Sequence, residues 1–273
     1  MFFYFCFYDI VFNMKKGVVI FIIFLLALGA GFFYFLKYKD VNFSFNNLTG
    51  ETKTPAQNST LVHEEIATST PFEIPKGEIS RGNAAKKQLI FTFDCGSGNN
   101  SVDKIMETAE KRKVKLTFFA TGKFAEKYPE DIKKIAEKGH EIFNHTYSHP
   151  HLTQITDEEI KNELEKTEKI IFDLTGKTTK PFFRPPYGDR NQHISDIAKE
   201  AGFHMVYWTF DALDWMPEKT AQDVKNQIYS KISPGSIILM HVGDDTTGNI
   251  LDEVFEKVEN DGYKIVNLSE GLR

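Results

Sequence analysis

From Lys86 to the C-terminus, short β-prone runs alternate with amphipathic helical stretches, and this alternation constrains the fold more than any other feature. The β-prone runs fall at 88–94, 116–120, 141–144, 182–184, 204–210, 236–241 and 264–267. Between most of them lie helix-periodic segments at 101–113, 123–138, 156–175, 192–201, 220–232 and 249–260. Thr156 followed by Glu159 is a capping-box signature, and Gly139, Gly176, Gly202 and Gly262 stand where helices should end. Strand–helix repeats of this kind build a parallel sheet, either open and doubly wound or curled into a barrel. Residues 86–273 are short for a regular eight-fold barrel, which takes about 250 residues.

Polar residues recur at one position in the repeat. Asp94 closes the first run, His145 follows the third, Arg184 closes the fourth, Asp211 the fifth and His241 the sixth. In parallel α/β architectures the carboxyl ends of strands share one face, which carries the active site. Five reactive side chains are therefore expected to converge. "HTYSH", His145 to His149, sets two imidazoles four residues apart with Pro150 favouring a tight turn. Such a pair suits Zn²⁺, Co²⁺, Ni²⁺ or Fe²⁺ but wants a third protein ligand, and Cys95, directly after Asp94, is placed to supply it. Arg184, before two prolines, is a permanent cation able to hold a carboxylate such as Asp94 ionised. "DALDW", Asp211 to Trp215, offers two carboxylates and an aromatic wall, and a histidine near a carboxylate, such as His241, suits a general acid.

In this order the segments resemble the motif set of the NodB-like polysaccharide deacetylases, carbohydrate esterase family four, across residues 87–273. The motifs are "TFDCG" at 92–96, "HTYSH" at 145–149, "RPPY" at 184–187, "DALDW" at 211–215 and "LMH" at 239–241. The resemblance implies a distorted (β/α) barrel of about seven strands. It also implies metal-dependent removal of acetyl groups from a sugar polymer, peptidoglycan N-acetylglucosamine being the first expectation, with chitin-like oligomers and O-acetyl xylan as alternatives. By resemblance Asp94 is the base, His145 and His149 are metal ligands, Arg184 orients the base, and the Tyr187 N–H donates to the oxyanion. His241 is the acid, tuned by Asp214 in preference to Asp211, while Trp215 and Leu239 wall the acetyl pocket.

The sequence departs from the family at Cys95, where the motif has an aspartate that ligates the metal. Three readings stand: a thiolate that ligates and favours Zn²⁺ over harder ions, a two-histidine site completed by water, or a fold that binds glycan without cleaving it.

The N-terminus reads differently. "GVVIFIIFLLALGAGFFYFL", residues 17–36, carries no charge and is long enough to cross a bilayer. Met14-Lys15-Lys16 ahead of it has the pattern of a secretory start, so residues 1–16 are read as a cytoplasmic or mis-called N-terminus, with residues 1–13 preceding the true start if that is Met14. An uncleaved anchor is favoured over a cleaved signal, placing the catalytic domain outside the cytoplasm on the cell membrane. Residues 37–85, rich in Ser, Thr, Asn and Pro, read as a disordered tether to the domain at 86–273. A net charge of −5 without a basic, aromatic-rich stretch argues against a nucleic-acid partner. The two cysteines, Cys6 and Cys95, are not expected to pair, because Cys6 lies in the apolar N-terminus.

Overall fold

The computed structural model describes residues 74–75 and 77–273. The expected anchor at 17–36 and most of the tether lie outside them; among the described residues no helix is long and apolar enough to cross a membrane.

The chain order is β1 (Gln88–Cys95), α1 (Val102–Arg112), β2 (Thr117–Ala120), α2 (Gly122–Lys127), α3 (Pro129–Glu137), β3 (Glu141–Asn144), α4 (Asp157–Thr175), β4 (Phe182–Phe183) and α5 (Gln192–Glu200). There follow β5 (His204–Met205), β6 (Phe210–Asp211), α6 (Ala221–Lys231), β7 (Ser236–His241), α7 (Asp245–Asn260), β8 (Lys264–Val266) and α8 (Leu268–Gly271). All named strand pairs are parallel, in the order β5-β4-β3-β2-β1-β7-β6, with β8 added beside the start of β1. This is an α/β sheet of parallel strands curled into a half-barrel, its path ending at β5 and β6.

β1 explains the curl. Its first residues pair with β8 and its last with β2 on one edge, while β7 pairs with Leu89 to Asp94 on the other. Seven of its eight residues are buried, as a strand covered on both faces requires. One face packs with α1 and α7 in the main core, which holds Leu89, Phe91, Phe93, Ile105, Leu251 and Phe255. The other face holds Ile90, which joins Phe119, Phe143 and Ile237 in a second cluster inside the curl.

Two expectations are corrected. The run at 204–210 is two short strands, because the backbone at Met205–Tyr207 bonds to Ile79: Ile79 N–H donates to the Met205 carbonyl and Tyr207 N–H to the Ile79 carbonyl. The same contact moves the domain boundary. Ile79 is buried and Arg81 bridges Ser236, so the last residues of the expected tether are part of the fold.

Candidate active site

The five strand-end residues do meet. Register places Asp94 of β1 directly beside His241 of β7, so two titratable groups share one spot by backbone pairing alone. A cleft of about 530 Å³ is lined by Asp94, His145, His149, Tyr187, Asp211, Trp215, Leu239 and His241, among others. Every expected site residue except Cys95, Arg184 and Asp214 lines it, and the last two lie directly behind lining residues.

Arg184, fully buried, donates from Nη1 to Asp94 Oδ1 at 2.7 Å and from Nη2 to the Tyr207 carbonyl at 3.2 Å. Its guanidinium lies 4.1 Å from the Phe119 ring centroid. Burial alone would raise the Asp94 carboxyl; the charge and hydrogen bond of Arg184, with the charge of His241, outweigh it and hold Asp94 below its ordinary value. Asp94 is therefore a carboxylate fixed in orientation, with Oδ2 directed at His145.

His145 hangs from the end of β3 with its N–H on the Ala120 carbonyl. Its Nδ1 is 2.8 Å from the Arg184 carbonyl oxygen, which can only accept, so Nδ1 carries the proton. Burial lowers its pKa and favours the neutral ring. Nε2 then presents a lone pair to Asp94 Oδ2 at 3.4 Å. Two acceptors facing one another call for a cation between or beside them. His149 completes the corner: its ring centroid is 4.8 Å from that of His145, and burial, then the neighbouring His145, push its pKa down to about 4.

The turn between the histidines is strained. Thr146 and His149 adopt φ of 65° and 61°, left-handed values that cost non-glycine residues on the order of 1–3 kcal/mol each. It is also tightly seated, since a Cβ at Gly122 would lie 2.5 Å from the Tyr147 ring.

On β7, His241 Nδ1 is 3.0 Å from Asp214 Oδ1, and Asp214 Oδ2 accepts from the His241 N–H at 2.7 Å and from the Thr247 hydroxyl. Burial alone would lower the His241 pKa, but the bond and charge of Asp214 raise it above the ordinary value. Asp211 accepts from Leu213 N–H and from Trp215 Nε1, holding the Trp215 ring at the rim, where it is half exposed. Tyr187 stands on the rim too, stacked on His151 at 4.0 Å with φ of 57°.

Cys95 is the correction. Side chains alternate across a strand, so Asp94 facing the cleft turns Cys95 to the opposite face. Its thiol is fully buried in the main core, 3.8 Å from the Phe93 carbonyl, and burial, then the Asp94 charge, push its pKa well above the ordinary value. The sulfur lies in the main core and does not line the cleft that His145 and His149 face. Among the described residues the one group of three or more acidic, His or Cys ligand atoms within 4.8 Å is Asp211, Asp214 and His241. Hydrogen bonds join His241 to Asp214, while Asp211 is engaged by Leu213 N–H and Trp215 Nε1. His145 and His149 set two imidazoles near the Asp94 carboxylate, and Cys95 adds no ligand atom to them.

Three contributors escaped the sequence reading. Trp208 lines the cleft from inside the expected 204–210 strand, Thr247 braces Asp214 from α7, and Glu163 contacts the histidine turn from α4. Nothing in their local sequence marks them, because each acts across a long chain separation.

With that geometry in view, the comparisons decide the family. The family model for polysaccharide deacetylase matches residues 81–206. The peptidoglycan-N-acetylglucosamine deacetylase of Bacillus cereus is 37% identical over 187 residues, 67% of each chain. The chain belongs to the polysaccharide deacetylase family. This is a family of hydrolases, also termed carbohydrate esterase family four. Among solved structures, the Bc1960 peptidoglycan N-acetylglucosamine deacetylase matches with a TM-score of 0.67 and 33% identity, over 71% of this chain and 92% of that one. BA3943 of Bacillus anthracis, described as a pseudoenzyme of carbohydrate esterase family four, matches with a TM-score of 0.69 and 30% identity, over 73% and 70%. Deacetylase relatives thus include both an enzyme and a pseudoenzyme at similar distance.

Proposed function

We propose that this chain removes the acetyl group from N-acetylglucosamine residues of a cell-wall glycan such as peptidoglycan, with a divalent cation, Zn²⁺ in preference to Co²⁺ or Ni²⁺, held by His145 and His149. The observation that carries it is the register that sets the Arg184-held carboxylate of Asp94 beside the Asp214-held imidazole of His241. Amide hydrolysis needs a base for the attacking water and an acid for the leaving amine, and these two groups are ionised oppositely by their partners. When bound, the cation supplies Lewis-acid polarisation of the acetyl carbonyl and makes water more acidic.

Asp94 takes the proton of the attacking water, and Arg184 keeps that carboxylate ionised and aimed. The Tyr187 N–H donates to the developing oxyanion. His241 protonates the leaving nitrogen, with Asp214 holding its Nδ1 proton so that Nε2 faces the substrate. Leu239 and Trp215 receive the acetyl methyl group.

Residues 17–36 would tether this chemistry to the outer face of the membrane, beside its substrate. The chain appearing in a salt-washed membrane fraction supports the tether, and its release intact into the medium argues for a cleaved signal.

Cys95 favours a second reading, a glycan-binding protein that does not cleave, since the fold withholds the third ligand. Acetate release from N-acetylglucosamine oligomers and purified peptidoglycan, with added Zn²⁺ or Co²⁺ and after chelation, separates the two. Metal-dependent release supports the deacetylase. Binding of the oligomers without release under any metal supports the second reading.

A further inference from the structure

The strained histidine turn needs something to hold it, and the structure supplies a residue outside the cleft that does so. The backbone N–H groups of Tyr147 and Ser148, the two residues nearest the centre of the turn, both donate to Glu163 Oε2, at 2.8 and 2.7 Å. The Ser148 hydroxyl donates to Glu163 Oε1 at 2.8 Å. One carboxylate thereby takes three donors from two consecutive residues.

Glu163 can do this because of where α4 places it. Ile160, Leu164, Thr167 and Ile171 form the buried stripe of that helix, and Glu163 stands beside Leu164, half-buried at the stripe's margin. The helix also grips the start of the turn: Asn144 donates to the Leu164 carbonyl at 2.9 Å, and its Oδ1 accepts the Thr146 N–H at 2.9 Å. On the opposite side, Gly122 N–H and Lys123 N–H bind the carbonyls of Thr146 and Tyr147. With those carbonyls drawn to α2 and the two N–H groups drawn to Glu163, the peptide planes between His145 and His149 cannot rotate freely. The left-handed conformations at Thr146 and His149 follow, and they turn both rings into the cleft.

The geometry points to Glu163 as the positioning residue of the histidine pair: it makes no contact with the cleft, yet it fixes the backbone that brings His149 alongside His145 and Tyr187. This rests on reading the two histidines as the cation-holding pair, but its structural half stands without any metal.

The test uses the full chain with Glu163→Ala, Glu163→Gln and Glu163→Asp. In metal-free protein, a cross-peak between the rings of His149 and Tyr187, whose centroids are 4.5 Å apart, reports the turn directly. Zn²⁺ affinity is read by competition with a chromophoric chelator, below the thermal midpoint of every variant. Glu163→Ala should abolish the cross-peak and weaken Zn²⁺ binding tenfold or more. Glu163→Gln should keep both, within about threefold in affinity, because the amide oxygen still accepts two N–H groups and the amide nitrogen can donate to Ser148 Oγ. If Glu163→Ala fails to fold, Glu163→Asp replaces it; its carboxylate, one methylene short, should lose the cross-peak in folded protein. A persisting cross-peak in the folded Ala or Asp variant overturns the inference, as does loss in Gln equal to that in Ala. Should the unaltered chain bind no Zn²⁺, the cation reading fails and the cross-peak alone decides the role of Glu163.

Discussion

Cys95 shows how a single side chain can satisfy a core while removing a ligand. Free cysteine behaves as a small apolar residue, and its neighbours Phe93, Phe118 and Ala120 share the main core with it. Among the described residues the thiol's polar contact is a weak one, 3.8 Å to the Phe93 carbonyl. Cys95→Ala is therefore expected to cost about 1 kcal/mol through a small cavity, scaled from core truncations. It should leave Zn²⁺ affinity and any acetate release within about twofold. A tenfold loss of Zn²⁺ affinity at a temperature where the variant is fully folded would return the sulfur to the metal site. The motif "TFDCG" made Cys95 look like a ligand because it stands where the family keeps one. What the string of letters lacks is the face: whether a residue after a strand-end acid turns inward or outward depends on where the pleat ends, and here β1 continues through Cys95. Asp94, by contrast, was legible, since its partner Arg184 carries a charge that no core tolerates alone.

Secondary structure was legible where capping chemistry is local. Thr156 and Glu159 form the reciprocal capping box, and Gly139, Gly176, Gly202 and Gly262 all adopt the left-handed conformation that ends a helix. The expected helix over 123–138 instead breaks at Tyr128, whose φ of −128° and ψ of 57° are not helical. Proline at 129 disfavours a helical conformation at the residue before it and readily starts a new helix, so α2 stops and α3 begins there. The expected start of the last long helix at 249 was also displaced, to Asp245. Asp244 caps it by accepting the Thr246 N–H at 2.7 Å, and the added turn carries Thr247 against Asp214. Local stability and acid–base chemistry are coupled through this one turn. Asp244→Ala should lower stability by about 1 kcal/mol, the usual cost of a lost N-cap. By loosening Thr247 it should also lower kcat more than it raises KM. Calorimetry and steady-state acetate release read the two effects, and a stability loss without any change in kcat would break the link.

At the scale of the whole molecule, the convergence of strand ends was the most legible feature, because parallel topology fixes it before any contact is known. Asp94, His145, Arg184, Asp211 and His241 come from five separate strand ends, and the curl of the sheet delivers them to one cleft or directly behind it. The pH profile should therefore be a property of the assembled half-barrel. The base must be ionised and the acid protonated. Asp94 is held below 3.8 and so is charged throughout the working range. Burial pushes the His149 pKa down to about 4, so its ring is neutral and free to hold a cation across the neutral range. His241 is raised above 6.5, so the alkaline limb lies higher than an ordinary histidine would place it. The stability sign agrees: the His241–Asp214 pair contributes fully below pH about 6.5 and loses its contribution as pH rises through the folded pKa. Asp94–Arg184 behaves oppositely, contributing above pH about 4 and failing as pH falls through the lowered carboxyl value. Replacing Asp214 by Asn removes the charge that raises His241, while the amide can still accept from its ring. The alkaline limb of kcat/KM should then move to lower pH. An alkaline limb that stays in place in Asp214→Asn would show that a group other than His241 donates the proton.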